Sequence, residues 1–110
     1  MSCYFIAQIT IHNSETYQKY LDGFDKIFAA YKGEVVMVDD NPSVLEGEWN
    51  HTRIVMIRFP DEIEARRWYE SPEYQELVQF RWAASKADII LATGRDNSSR
   101  VTLLSSGGKP

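Results

Sequence analysis

In a chain of 110 residues, Arg81 is spaced to share one helical face with Tyr74, Leu77 and Val78. A guanidinium on such a face could be aimed into a pocket as a fixed, bidentate clamp for a carboxylate or an enolate. The structural alternative is an internal ion pair with Glu46 or Asp88, because arginines at the end of an apolar face are usually paired. Glu46, between Leu45 and Gly47, is a candidate general base if burial raises its pKa toward neutrality. As the cross-strand partner of Arg53 it would instead stay ionised and be a poor base at pH 7. Arg53 is itself a candidate ligand contact. His12 follows Gln8 and Thr10 and is a candidate pocket residue, with packing at a helix start as its alternative. His51 is expected in solvent at a hairpin tip. Tyr17, Tyr20, Trp68, Tyr69, Tyr74 and Trp82 form an aromatic set that mostly reads as core. Within it, the Tyr17 and Tyr74 hydroxyls could orient a small aromatic or acidic ligand, and Trp68 is counted among the candidate ligand contacts.

Other chemistries have no residues to support them. Neither histidine has a second ligand at the spacing a zinc or iron site needs, so no metal and no cofactor is expected. There is no glycine-rich phosphate loop, no nucleophile elbow and no cysteine pair. The one cysteine, Cys3, reads as a small buried hydrophobe and makes no intrachain disulfide, so the expected compartment is the cytoplasm. No signal peptide or membrane anchor is expected, since the longest apolar runs fall far short of a membrane span. The formal charge is −4. Up to Gly94 there are nine basic and fifteen acidic residues, and beyond it three and one. An acidic body lacks the basic face that nucleic acid requires.

The elements that must position these residues follow from periodicity. At 44% hydrophobic and 13% aromatic residues, the chain can build one core, and its length suits a single domain over 1–94 with a Ser- and Gly-rich tail over 95–110. Residues 3–11 alternate as a strand whose two sides are both largely apolar, which implies that both sheet faces are covered. Tyr17, Tyr20, Leu21, Phe24, Ile27, Phe28 and Tyr31 recur at helical spacing, predicting a helix over 14–32 with Asn13 or Ser14 as cap and Gly33 as its left-handed stop. Residues 35–38 read as a strand that resumes at 44–46 and turns at 48–51 into a strand over 53–59, which would set Glu46 opposite Arg53. Asp61 with Glu64 makes a capping pattern for a helix carrying Ile63, Trp68 and Tyr69. Ser71-Pro72 restarts a helix, and residues 88–92 form a last strand closed by Gly94. The order strand, helix, strand, strand, helix, strand is that of a ferredoxin-like α+β sandwich.

Glu46-Gly47, Phe59-Pro60, Ala65 with Trp68-Tyr69, Ser71-Pro72-Glu73-Tyr74, Arg81 and Gly94, together with the Tyr17 to Tyr20 spacing, resemble a bacterial family of small proteins of unknown function in the dimeric α/β-barrel superfamily. The similarity spans about residues 2–94 and leaves the tail out. It implies a homodimer whose sheets form a barrel, with a cleft between each sheet and its helices. Relatives in that superfamily include cofactor-free monooxygenases, haem-degrading enzymes, muconolactone isomerases, stress-induced proteins and ligand-sensing domains, so fold alone does not assign an activity. The resulting expectation is a cleft that takes a small aromatic or carboxylate-bearing metabolite, with cofactor-independent oxygenation or isomerisation as its catalytic form. The alternative is a non-catalytic stress-related or interaction module whose cleft is filled by its own side chains. A solvent-reached cavity of about 300 Å³ or more with convergent polar groups separates the two. The tail segment 101–104 is expected to pack on the body or on a partner chain.

Overall fold

The computed structural model describes residues 1–95, so the expectation for segment 101–104 lies outside the described residues. The central strand β1 (Cys3–Ile11) buries Cys3, Phe5, Ala7 and Ile9 and leaves Tyr4, Ile6, Gln8 and Thr10 half-buried. Helix α1 (Ser14–Phe28) starts at Asn13, whose side chain accepts a hydrogen bond from the Thr16 amide at 3.1 Å. That bond satisfies one of the otherwise orphaned donors of the first turn. The helix ends four residues earlier than the periodicity predicts, and Gly33 is not a left-handed stop: among the described residues only Gly47 has a positive φ, at 81°. Gly33 is needed for space. A Cβ there would lie 2.5 Å from the Phe28 ring and 2.7 Å from the Phe59 ring.

Strand β2 (Glu34–Asp39) pairs with β3 (Arg53–Phe59) from Glu34 opposite Arg58 to Asp39 opposite Ile54, with a bulge between Val35 and Met37. The expected strand over 44–46 and the hairpin tip over 48–51 do not form. The Asn41 amide bonds to the Asp39 side chain at 2.9 Å, and Pro42 has no amide to donate, so the ladder stops and 40–52 becomes one long connection. Its far end is tied to β1 by the Thr52 amide on the Ile9 carbonyl at 2.8 Å. Glu46 is exposed on this connection and does not face Arg53. Arg53 is held instead by Asp40, at 2.6 and 3.1 Å.

Helix α2 (Glu62–Tyr69) begins where Asp61 accepts from the Glu64 amide at 2.9 Å, but Ile63 points to solvent, 75% exposed. Helix α3 (Pro72–Ala84) follows through Ser71, whose hydroxyl accepts from the Tyr74 amide at 3.2 Å and donates to the Trp68 carbonyl at 2.8 Å. Strand β4 (Ser85–Thr93) leaves α3 without a loop and runs the full length of β1, from Ser85 opposite Ile11 to Thr93 opposite Cys3. It starts earlier than residue 88 because the Ala84 carbonyl is gripped by the His12 and Asn13 amides at 2.9 and 3.1 Å.

The sheet is antiparallel in the order β2-β3-β1-β4, and the fold is a ferredoxin-like α+β sandwich. Its core lies between helices and sheet and is centred on Trp68, whose ring sits 4.3 Å from Tyr74, 5.2 Å from Phe5, 5.5 Å from Phe28 and 5.6 Å from Phe59. The opposite sheet face has no helix over it among the described residues. Ile6, with Met56 and Ile90 beside it in register, occupies its centre, and Ile90 is 59% exposed. Arg58 paired with Glu34, together with Lys86 and Asp88, gives that face a charged margin. No helix among the described residues is long and apolar enough to cross a membrane.

Candidate functional site

Tyr17, Tyr20, Leu21 and Phe24 recur on one side of α1 because a helix returns to the same face every three or four residues. They stand over the sheet but do not close on it. A cavity of about 270 Å³ remains, floored by residues such as Phe5, Val55 and Ile57 and reaching solvent beside Val35, Val38 and Asp25. Arg53, the first residue of β3, and Arg81, in the last turn of α3, both line it.

Each guanidinium lies against a tyrosine. The Arg53 guanidinium carbon is 5.5 Å from the Tyr17 ring centroid and that of Arg81 is 5.8 Å from the Tyr20 centroid, while the two rings are 5.6 Å apart. Such cation–π contacts contribute more where water is excluded. The Tyr20 and Tyr74 hydroxyls share a hydrogen bond of 2.7 Å. Burial pushes the Tyr20 pKa well up, with Tyr74 adding to the effect. Burial also raises Tyr74, outweighing the opposing pull of Arg81. Tyr17 is raised by burial despite both arginines. All three phenols are therefore neutral at pH 7.

The two arginines differ in one respect. Arg53 has the bidentate Asp40 carboxylate. Arg81 is only 3% exposed, has no carboxylate within 4.0 Å among the described residues, and keeps a buried Nη2 without a hydrogen-bond partner. Burial works against its charge, but Tyr74 and Tyr20 outweigh this and its pKa is raised, so it stays protonated. The expected ion pair of Arg81 with Glu46 or Asp88 is absent. Glu46 belongs to the exposed 40–52 connection, and Asp88 pairs in register with Gln8, on the side of the sheet away from the helices. Neutral phenols cannot balance a guanidinium, and an unpaired buried ion costs on the order of several kcal/mol. An anionic ligand would supply the missing charge.

Of the residues singled out from sequence, Arg81, Arg53 and Tyr17 come together on the cavity. Tyr74 is fully buried behind it, bonded to Tyr20. Trp68 is fully buried in the ring cluster, and its indole N–H has no partner. His12 and Glu46 are exposed and do not line the cavity. His51 is not simply solvated: it is half-buried, packs against Trp49 at 4.9 Å, and its Nδ1 lies 3.3 Å from the Thr10 hydroxyl. Cys3 is buried, and burial pushes its thiol pKa up, which keeps it unreactive. Sequence reasoning missed the roles of Val35, Val38 and Asp40. No group of three or more His, Cys, Asp or Glu side chains among the described residues could hold a metal ion.

Fold and site together define a small ferredoxin-like α+β protein with a cationic pocket between its helices and sheet. The chain belongs to the family described as domain of unknown function DUF1330, whose model matches residues 2–95. Its fold is similar to that of a protein of unknown function from Rhodopseudomonas palustris, with a TM-score of 0.74 at 17% identity over 86% of this chain and 83% of that one. It is also similar to SnoaB, a cofactor-independent oxygenase from Streptomyces nogalater, with a TM-score of 0.64 at 15% identity over 87% and 95% of the two chains. A dimeric ferredoxin-like protein of unknown function from Thermobifida fusca matches with a TM-score of 0.60 at 12% identity over 86% and 92%. No curated protein matches the sequence.

Proposed function

We propose that the cavity binds a small organic anion, aromatic or aliphatic in body, whose carboxylate or enolate oxygen sits on Arg81. The observation that carries this reading is the buried guanidinium, with no carboxylate beside it among the described residues, at a cavity walled mostly by apolar and aromatic side chains. The volume of about 270 Å³ is just under the range of roughly 300–1,000 Å³ common for ligand pockets and suits a single-ring compound. An inert module would have its own side chains in that space. The likeness to a cofactor-independent oxygenase supports a catalytic form in which Arg81 stabilises an enolate or phenolate as charge develops on oxygen. The lone cysteine keeps the cytoplasm as the expected compartment. Calorimetric titration with benzoate should give one binding event per chain, and native mass spectrometry of the freshly purified protein should reveal a co-purified small acid. Absence of both would overturn the reading.

A second reading concerns assembly. The uncovered face with Ile6, Met56 and Ile90 at its centre suits a second copy of the same sheet, and a specific interface would bury about 800 Å² on each chain. The expected solution species is a homodimer by light scattering, and Ile90→Asp should convert it to a monomer. A wild-type protein that stays monomeric at micromolar concentration would refute this.

A further inference from the structure

The charges around the cavity are unequal in a way that selects among ligands. Arg81 is buried with no carboxylate beside it among the described residues, whereas Arg53 is already matched by Asp40 through two hydrogen bonds of 2.6 and 3.1 Å. Among the described residues Asp25 is the one acidic residue on the cavity wall, exposed at the opening. A ligand with one negative charge meets one free guanidinium. A second carboxylate would meet either an arginine already neutralised or the Asp25 carboxylate, and its desolvation would go unmatched.

We infer that Asp40 is a specificity-determining residue that holds Arg53 neutralised and so favours monoanions over dicarboxylates built on the same ring. This rests on the anion-binding reading above. Asp40 lies in the 40–52 connection, just after β2, with its side chain 62% exposed, while the Arg53 side chain is only 18% exposed. Its removal therefore leaves the core untouched and uncovers a second, mostly buried cation at the cavity.

The test compares benzoate with its ortho, meta and para dicarboxylate analogues by calorimetry at neutral pH, where each added acid group is ionised. Wild-type protein should prefer benzoate over every dicarboxylate by about tenfold or more, a difference of about 1.4 kcal/mol. Asp40→Asn should tighten the best dicarboxylate by about tenfold while benzoate changes less than about threefold. Asp40→Glu should restore the wild-type preference, which a merely structural role for the loop would not predict. A wild-type protein that binds a dicarboxylate as well as benzoate, or an Asp40→Asn protein with an unchanged ratio and an unchanged melting temperature, would overturn the inference while leaving anion binding intact. Should Asp40→Asn unfold, the wild-type ratio still decides, and Asp40→Ser removes the same charge for the comparison. If none of the four probes binds wild-type protein this inference falls, and if no small acid co-purifies either, the anion-binding reading falls with it.

Discussion

Replacing Arg81 with methionine is expected to raise the melting temperature of the ligand-free protein while abolishing benzoate binding. The usual cost of deleting half of a buried ion pair is the charge left behind on the partner. Here no carboxylate among the described residues waits on Arg81, so none of them is orphaned. Tyr74 loses the side-chain hydrogen bond from Arg81 but keeps its 2.7 Å bond with Tyr20, so neither phenol is stranded. Methionine fills much of the same space with an unbranched, adaptable chain. Exchanging a buried ion for well-packed apolar atoms is neutral or stabilising by about 1–4 kcal/mol. For a domain near this size each kcal/mol corresponds to a shift of roughly 4–8 °C. Thermal melts with and without benzoate check both halves. A lower melting temperature combined with wild-type affinity would sink the argument. Arg81→Ala is a less clean probe, since it adds a void to the removal of charge. The sequence-level expectation of an Arg81–Glu46 pair would have made any Arg81 truncation destabilising, so the sign of this one measurement separates the two pictures.

That reversal shows where sequence reasoning reached its limit. Caps were legible because their chemistry is complete within a single turn: Asn13 with Thr16, Asp61 with Glu64, and Ser71 with Tyr74 are each three residues apart. Strand β1 and the α3 face were legible because burial follows their period. Gly33 misled because one residue type answers two needs, a positive φ or empty space, and only the approach of Phe28 and Phe59 tells which applies. Glu46 misleads because the alternation on either side of Pro42 suggests one continuous hairpin register, whereas the chain leaves the ladder at Asp39 and returns through Thr52. The cavity was half visible. Tyr17, Arg53 and Arg81 have the right residue types, but that none of the described carboxylates lies beside Arg81 is a three-dimensional fact with no local signal. Val35 and Val38 read simply as strand residues, although the bulge between Val35 and Met37 brings both onto the cavity wall.

The largest loss of stability is expected from Trp68→Ala. Trp68 is fully buried with aromatic rings on every side, Tyr74 at 4.3 Å and Phe59 stacked at 5.6 Å among them. Truncating a buried tryptophan costs about 3–5 kcal/mol, because the packed surroundings relax only partly into the void. Against a total stability of roughly 5–15 kcal/mol for a domain, that is a large share. Trp68→Phe should cost clearly less. It keeps a ring between Phe5 and Phe59, and the indole N–H it deletes has no hydrogen-bond partner to strand. The effect should also reach the cavity, since Phe5 and Phe24 pack on Trp68 and line the cavity as well. Loosening those rings widens the apolar wall that a bound ring would contact, so benzoate affinity should fall in Trp68→Ala even at temperatures where the protein remains folded. Urea unfolding followed by far-UV circular dichroism, with benzoate titrations run alongside, gives both numbers. A Trp68→Ala protein within about 1 kcal/mol of wild type would contradict the burial argument. A large stability loss with unchanged benzoate affinity would show instead that α1 and the sheet hold the cavity wall without the ring cluster behind it.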